Sequence, residues 1–116
     1  MAQLNTKVKK YLEANSKVYL DELNNFVLQN DGSGDYIKEW NVDGVAEPTA
    51  EQLNAVESEA DAQETLDAVI ATRSFEYPRL NEFAEAYCEK EIGGDSTKWD
   101  AYVTKYNLVR SNNPKP

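Results

Sequence analysis

At 116 residues the chain is one domain's worth of sequence, long enough to bury roughly two-thirds of its unfolded surface. It has no histidine and one cysteine, Cys88, which removes the commonest metal ligand and general base and any intramolecular disulfide; zinc sites and Ser–His or Cys–His catalysis are excluded. The 21 acidic against 12 basic residues leave a net charge of −9, which repels phosphate backbones and anionic lipid, so neither nucleic acid nor membrane is an expected partner.

Leu4, Val8, Tyr11 and Leu12 recur at helical spacing, with Lys7, Lys9, Lys10 and Glu13 off that stripe. This predicts a first amphipathic helix ending near Asn15-Ser16, its lysines solvated. The opening MAQLNTKVKK lacks the apolar core of a signal peptide, so the expectation is a cytosolic protein where it is made. Val18, Leu20 and Leu23 fit one or two further helical turns before Asn24-Asn25.

Phe26-Val27-Leu28 is a short β-prone run, and Tyr36-Ile37-Lys38-Glu39-Trp40 alternates apolar and charged residues in period two. Between them Asp31-Gly32-Ser33-Gly34-Asp35 supplies glycines able to take positive φ, predicting a hairpin over 25–41 with Tyr36 and Trp40 on one face. The loop does not bind calcium as an EF-hand: Tyr36 stands where glycine is needed and Val42 where a bidentate glutamate is needed. It lacks the glycines and the lysine of a phosphate cradle as well.

After a linker over 41–47, Pro48-Thr49 and Gln52 form a capping box, and Leu53, Val56, Ala60, Leu66, Val69, Ile70 and Arg73 keep a helical period over more than twenty residues. Glu57, Glu59, Asp61 and Glu64 crowd its middle and read as a solvated face. Pro78 breaks the helix. A new one carries the stripe Leu80, Phe83, Ala84, Tyr87 and Cys88, with Cys88 read as a buried small hydrophobe, and Gly93-Gly94 ends it. Asp95-Ser96-Thr97 caps a last helix with the aromatic stripe Trp99, Tyr102, Val103, Tyr106 and Val109, ending before Asn112-Asn113-Pro114.

The string DGSGDYIKEWN, followed by EPTAEQLNAV, resembles the hairpin-and-helix segment of small bacteriophage tail proteins of the XkdW and tail-fibre-assembly type. Arg73 with Tyr77-Pro78, then Leu80, Phe83, Trp99 and the terminal Asn113-Pro114-Lys115-Pro116, is similar to the endings of phage tail assembly chaperones and short tail-fibre proteins. The resemblance spans roughly Phe26 to Pro116. Asn113 stands where an aromatic is usual, the Gly93-Gly94 loop is this chain's own, and residues 1–25 have no counterpart.

The expected fold is a mainly helical α+β protein, one β-hairpin packed on a small helical bundle in a single domain: helical segment 1–24, hairpin 25–41, helical part 48–113. In it Leu80–Cys88 and Trp99–Val109 pair antiparallel, with Leu53–Ile70 laid across them. The resemblance implies a non-enzymatic phage tail protein acting through protein–protein contacts, either an assembly factor for tail or tail fibre or a small virion component. Its implied partners are other phage tail or tail-fibre proteins, and the sequence leaves a homo-oligomer open. Its implied place is the host cytoplasm during assembly, or the virion tail. No cofactor or metal is expected. The contact residues expected from the aromatic patterning are Tyr36 and Trp40 on the hairpin and Trp99, Tyr102 and Tyr106 on the last helix. The rival reading is a recognition module for a host-surface glycan or receptor, stacking on Tyr36 and Trp40 with Asp31 and Asp35 as hydroxyl acceptors. An acidic-residue hydrolase finds no carboxylate pair placed to act together.

Overall fold

The computed structural model describes residues 1–116. It is mainly helical α+β, with five α-helices, a short 3-10 turn and a two-stranded antiparallel hairpin. The elements run α1 (Leu4–Ala14), the 3-10 turn (Tyr19–Glu22), β1 (Phe26–Asn30), β2 (Asp35–Trp40), α2 (Ala50–Ala55), α3 (Glu57–Glu76), α4 (Leu80–Glu91) and α5 (Thr97–Asn112). Where the sequence reads as one domain, the structure gathers into two compact units, Met1–Glu64 and Thr65–Pro116, with α3 contributing residues to each.

The N-terminal unit is built on α1. Its apolar stripe buries Val8, Tyr11 and Leu12, two of them with no solvent exposure. The helix ends in a Schellman motif: Lys17 N–H donates to the Leu12 carbonyl at 2.9 Å, Ser16 N–H to Glu13 at 3.0 Å, and Ser16 takes the left-handed position at φ 63°. Phe26 of β1 joins this core, and so do Val42 and Val45, from the segment expected to be a mere linker. Leu4, Tyr19, Leu28, Ile37, Trp40 and Leu53 pack around it. The 41–47 segment is therefore part of the core, held in place by hydrogen bonds. The Tyr11 hydroxyl donates to the Ala46 carbonyl at 2.6 Å, and Trp40 Nε1–H donates to the Val45 carbonyl at 2.8 Å.

The hairpin forms where expected, with Gly32 and Gly34 at φ 103° and 114° in its loop. Its register departs from simple alternation. Val27 pairs with Glu39 but Leu28 with Ile37, so Lys38 is an extra residue on β2. This bulge inverts the side-chain alternation between Ile37 and Trp40. Ile37 and Trp40 both turn to the core beside Phe26 and Leu28, whereas Tyr36 is exposed opposite Gln29. Tyr36 and Trp40 accordingly lie on opposite faces, contrary to the period-two expectation.

The long helix expected from Thr49 onward is broken. The capping box forms: Gln52 N–H donates to Thr49 Oγ1 at 3.2 Å, and Thr49 N–H donates to the Gln52 side chain at 2.9 Å. After six residues, however, α2 ends at Val56, whose carbonyl accepts from Ala60 to open α3. Neither glycine nor proline marks this break. Tertiary contacts hold both sides of it, Leu53 in the core and Glu57 against α1. Leu53 thus packs on the N-terminal core.

The carboxylates crowding the start of α3 are not all solvated. Glu57 meets Lys7 at 2.7 Å and accepts the Ala2 N–H at 2.7 Å; Glu64 accepts the Gln3 N–H and the Thr6 hydroxyl, both at 2.9 Å. Lys10 donates to Gln63 at 2.9 Å. The N–H of the N-cap residue Gln3 and that of Ala2 before it are satisfied in this way by side chains 61 and 55 positions away. Lys7 and Lys10 are consequently tied into the structure, where the sequence suggested solvated lysines.

In the C-terminal unit α3 ends before Tyr77-Pro78, and α4 and α5 pair as a helical hairpin through the turn at Gly93-Gly94. A Cβ at Gly93 would lie 2.9 Å from the Glu89 carbonyl oxygen, and Gly94 has φ 69°, so both glycines are required by the turn. Ser96, the N-cap of α5, makes no side-chain cap bond; Asp95 before it closes the helix start instead, its carboxylate accepting the Thr97 N–H at 3.0 Å and hydroxyl at 2.7 Å. Those two bonds hold the Asp95 carboxyl below its usual range. The other end of α5 is closed by Arg73, which is buried: its Nε donates to the Asn113 carbonyl at 2.7 Å and its Nη2 reaches the Arg110 carbonyl at 3.5 Å. A cation at a helix C-terminus meets both unsatisfied carbonyls and the negative end of the dipole. Asn113 completes this closure by donating to Glu76 at 2.8 Å.

The expected stripe of α4 does not become a core. Ala86 is its buried residue, Cys88 is exposed, and Leu80 keeps 80% of its surface. In this helical hairpin a small residue sits between the helices while larger apolar ones line the edge. Cys88 is two positions from Ala86, close to the opposite side of the helix.

Candidate interaction surfaces

The structure separates the five aromatic residues expected to make contacts. On the hairpin, Trp40 is spent on the core: its ring lies 5.5 Å from Phe26 and 6.1 Å from Tyr11, and its N–H is bonded to Val45. Tyr36 remains exposed, but its hydroxyl donates to Asp31 at 2.5 Å. The phenol and the Gln29 amide hold the Asp31 carboxyl below its usual range, and the carboxylate in turn pushes the Tyr36 phenol up. Asp35 accepts from Asn30 at 2.9 Å. The hairpin tip thus satisfies its own polar groups, and no pair of stacking platforms forms there.

Trp99, Tyr102 and Tyr106 are brought together, with company the stripe of α5 does not reveal. Tyr102 packs 5.8 Å from Trp99 and 6.4 Å from Tyr106 along α5. Phe83 of α4 lies 5.5 Å from Tyr102 and 6.0 Å from Trp99, Tyr87 lies 6.2 Å from Trp99, and Tyr77 stacks on Tyr106 at 5.0 Å. Six rings therefore form one continuous array along one flank of the α4–α5 hairpin. Edge-to-face and offset packing of this kind is worth about 0.5–1.5 kcal/mol per pair beyond the area buried. The array is half-covered: Tyr87 keeps 48% of its surface and Tyr106 and Phe83 36% each, and Val103 and Leu80 extend the apolar flank. The spacing of Phe83 and Tyr87, four apart, was the available signal that α4 shares this face.

The opposite flank of the same hairpin is ionic. Lys98 bridges Glu85 at 2.5 Å and Glu89 at 2.9 Å, and Lys105 meets Glu82 at 3.7 Å. These carboxylates push the Lys98 ammonium pKa up. Exposed pairs of this sort stabilise little, and their consequence is the register of the two helices. On the aromatic flank two cations stand over rings: Lys90 sits 4.7 Å over the Trp99 ring and Arg110 sits 5.6 Å from the Tyr106 ring.

Net charge is divided unevenly between the units. Residues 1–64 carry thirteen acidic and five basic side chains, residues 65–116 eight and seven. Nearly all the acidic excess therefore belongs to the N-terminal unit, and the aromatic flank stands in an almost neutral one. No group of three or more Cys, Asp or Glu side chains is gathered as a metal site, and no helix is long and apolar enough to cross a membrane.

The family model described as XkdW protein matches residues 11–65. That is just under half of the chain, and it coincides with most of the N-terminal unit: the end of α1, the hairpin, the 41–47 segment, α2 and the start of α3. The match includes residues 11–25, for which the sequence motifs suggested no counterpart, and stops before Arg73 and Tyr77-Pro78. Comparison with curated proteins and with solved structures gave no match. The N-terminal unit is thus similar to XkdW-type, phage-associated protein.

Proposed function

We propose that this chain is a non-enzymatic bacteriophage tail protein that works through protein–protein contacts, as a tail or tail-fibre assembly factor or as a small component of the tail. The observation that carries the reading is the XkdW match over residues 11–65, which takes in the bulged hairpin and the core segment that the hairpin's Trp40 holds. Its partners are other tail or tail-fibre proteins, met in the host cytoplasm during assembly. A half-exposed aromatic flank on an almost neutral unit supports binding to protein: large rigid rings supply contact area at low entropic cost, and few charges need to be stripped of water.

Quantitative mass spectrometry of purified virions and of lysates from infected cells tests this. A tail component is present in virions at a fixed copy number. An assembly factor is abundant in the lysate and missing from virions, and its deletion leaves tails or fibres unassembled. Normal virions and normal adsorption after deletion, with the chain absent from particles, would overturn the proposal.

A further inference from the structure

The aromatic flank of the α4–α5 hairpin has a charge pattern that selects its occupant. The strip runs from Trp99 to Arg110 on α5, twelve residues whose eleven steps rise roughly 16 Å, which is three turns of a facing helix. A cation stands at each end, Lys90 over Trp99 and Arg110 over Tyr106. Lys90 also meets Glu91 at 3.6 Å, but its side chain keeps 39% of its exposure. Of the other acids of α4, Glu82, Glu85 and Glu89 are engaged with lysines on the other flank, which leaves Glu91 as the one that meets a cation of the strip.

A second copy of the chain fits this pattern badly. Any two-fold axis through the strip brings either each cation against its own copy or Lys90 against Arg110, so like charge meets like in both arrangements. We propose that this flank docks an amphipathic helix of a different protein, about three turns long, whose apolar stripe is bracketed by a carboxylate at each end. The rings supply a groove for the stripe, and Lys90 and Arg110 fix register by pairing with the two carboxylates. A contact of this size is a small interface, with an affinity on the order of micromolar. The inference adds a partner chemistry to the protein-contact reading, and it is measured on purified material, so it can fail while the virion assay above succeeds.

The test is a display library of single amphipathic helices, fixed in their apolar stripe and randomised at the flanking positions, selected on the purified full chain. Enriched helices are expected to carry Asp or Glu at both ends of the stripe. Their binding, followed by fluorescence anisotropy, should weaken roughly tenfold or more in the double variant Lys90→Glu, Arg110→Glu. It should be lost in Tyr87→Ser, Tyr106→Ser and unchanged in Lys98→Ala on the ionic flank. Circular dichroism verifies folding. Should the tyrosine variant unfold, the charge-reversed one, altered only at solvent-accessible side chains, still decides. No enrichment, enrichment of basic or neutral brackets, or binding indifferent to charge reversal would overturn the proposal. So would sedimentation showing a dimer that Tyr87→Ser, Tyr106→Ser abolishes with folding intact, which would assign the flank to a second copy.

Discussion

Replacing Trp40 with alanine tests the reading of the hairpin as a core element. The substitution removes a ring packed on Phe26 and Tyr11 and strands the Val45 carbonyl, which accepts its N–H at 2.8 Å. Truncating a buried tryptophan costs about 3–5 kcal/mol, and because Trp40 is half-buried the lower end applies, ~3 kcal/mol including ~1 kcal/mol for the hydrogen bond. For a cooperative unit of this size each kcal/mol moves the midpoint by roughly 4–8 °C, so the transition should fall by about 12–24 °C. Trp40→Phe keeps a ring in place and loses the donor, and should fall by only about 4–8 °C. Lys38→Ala, at the exposed bulge, serves as the control and should melt with the wild type. Differential scanning calorimetry gives the midpoints. In both tryptophan variants the remaining tryptophan, Trp99, reports the C-terminal unit separately by fluorescence. Trp40→Ala melting within a degree or two of the wild type would refute the core assignment. Equal losses for alanine and phenylalanine would show that the hydrogen bond, not the ring, carries the effect.

Val45→Ala should cost ~2 kcal/mol by denaturant titration, because the 41–47 segment is core; a loss near zero would return it to the status of a linker. Ser16→Gly should stabilise by about 1 kcal/mol in the same titration, since a left-handed C′ residue carries a Cβ penalty that glycine lacks. Glu57 is held below its ordinary carboxyl value of 4.5 by its bond to Lys7 and then by the Ala2 N–H. Its contribution is present above that value and disappears as pH falls through the lowered folded value, so Glu57→Gln should flatten the acid limb of stability below about pH 4.5 and leave its shape near neutrality unchanged. Cys88 is exposed, so a thiol reagent should label it in the folded protein without denaturant, at the rate of a free surface thiol. Labelling that waits for unfolding would restore the buried stripe.

Local chemistry alone fixes much of this molecule. The first helix and its end, the hairpin loop with its positive-φ glycines, the Thr49–Gln52 capping box, the stop at Pro78 and the Gly93-Gly94 turn each rest on interactions within a few residues, so spacing and residue type suffice to place them. Three features depend on contacts between distant segments, and the sequence is silent on them. Lys38 bulges and sends Ile37 and Trp40 to one face, because the core formed with α1 and Val45 selects which side chains turn inward, over the period-two pattern. The α2–α3 break at Val56 has no glycine or proline to announce it and is held by Leu53 in the core and Glu57 on Lys7. Periodicity marks the α4 stripe as apolar but cannot say whether another layer covers it. In the fold α4 and α5 meet through Ala86 and leave Phe83, Tyr87 and Tyr106 half-exposed beside Trp99 and Tyr102. Apolarity is a property of a residue, and burial is a property of what packs against it; the half-exposed aromatic flank of this protein exists in the difference between the two.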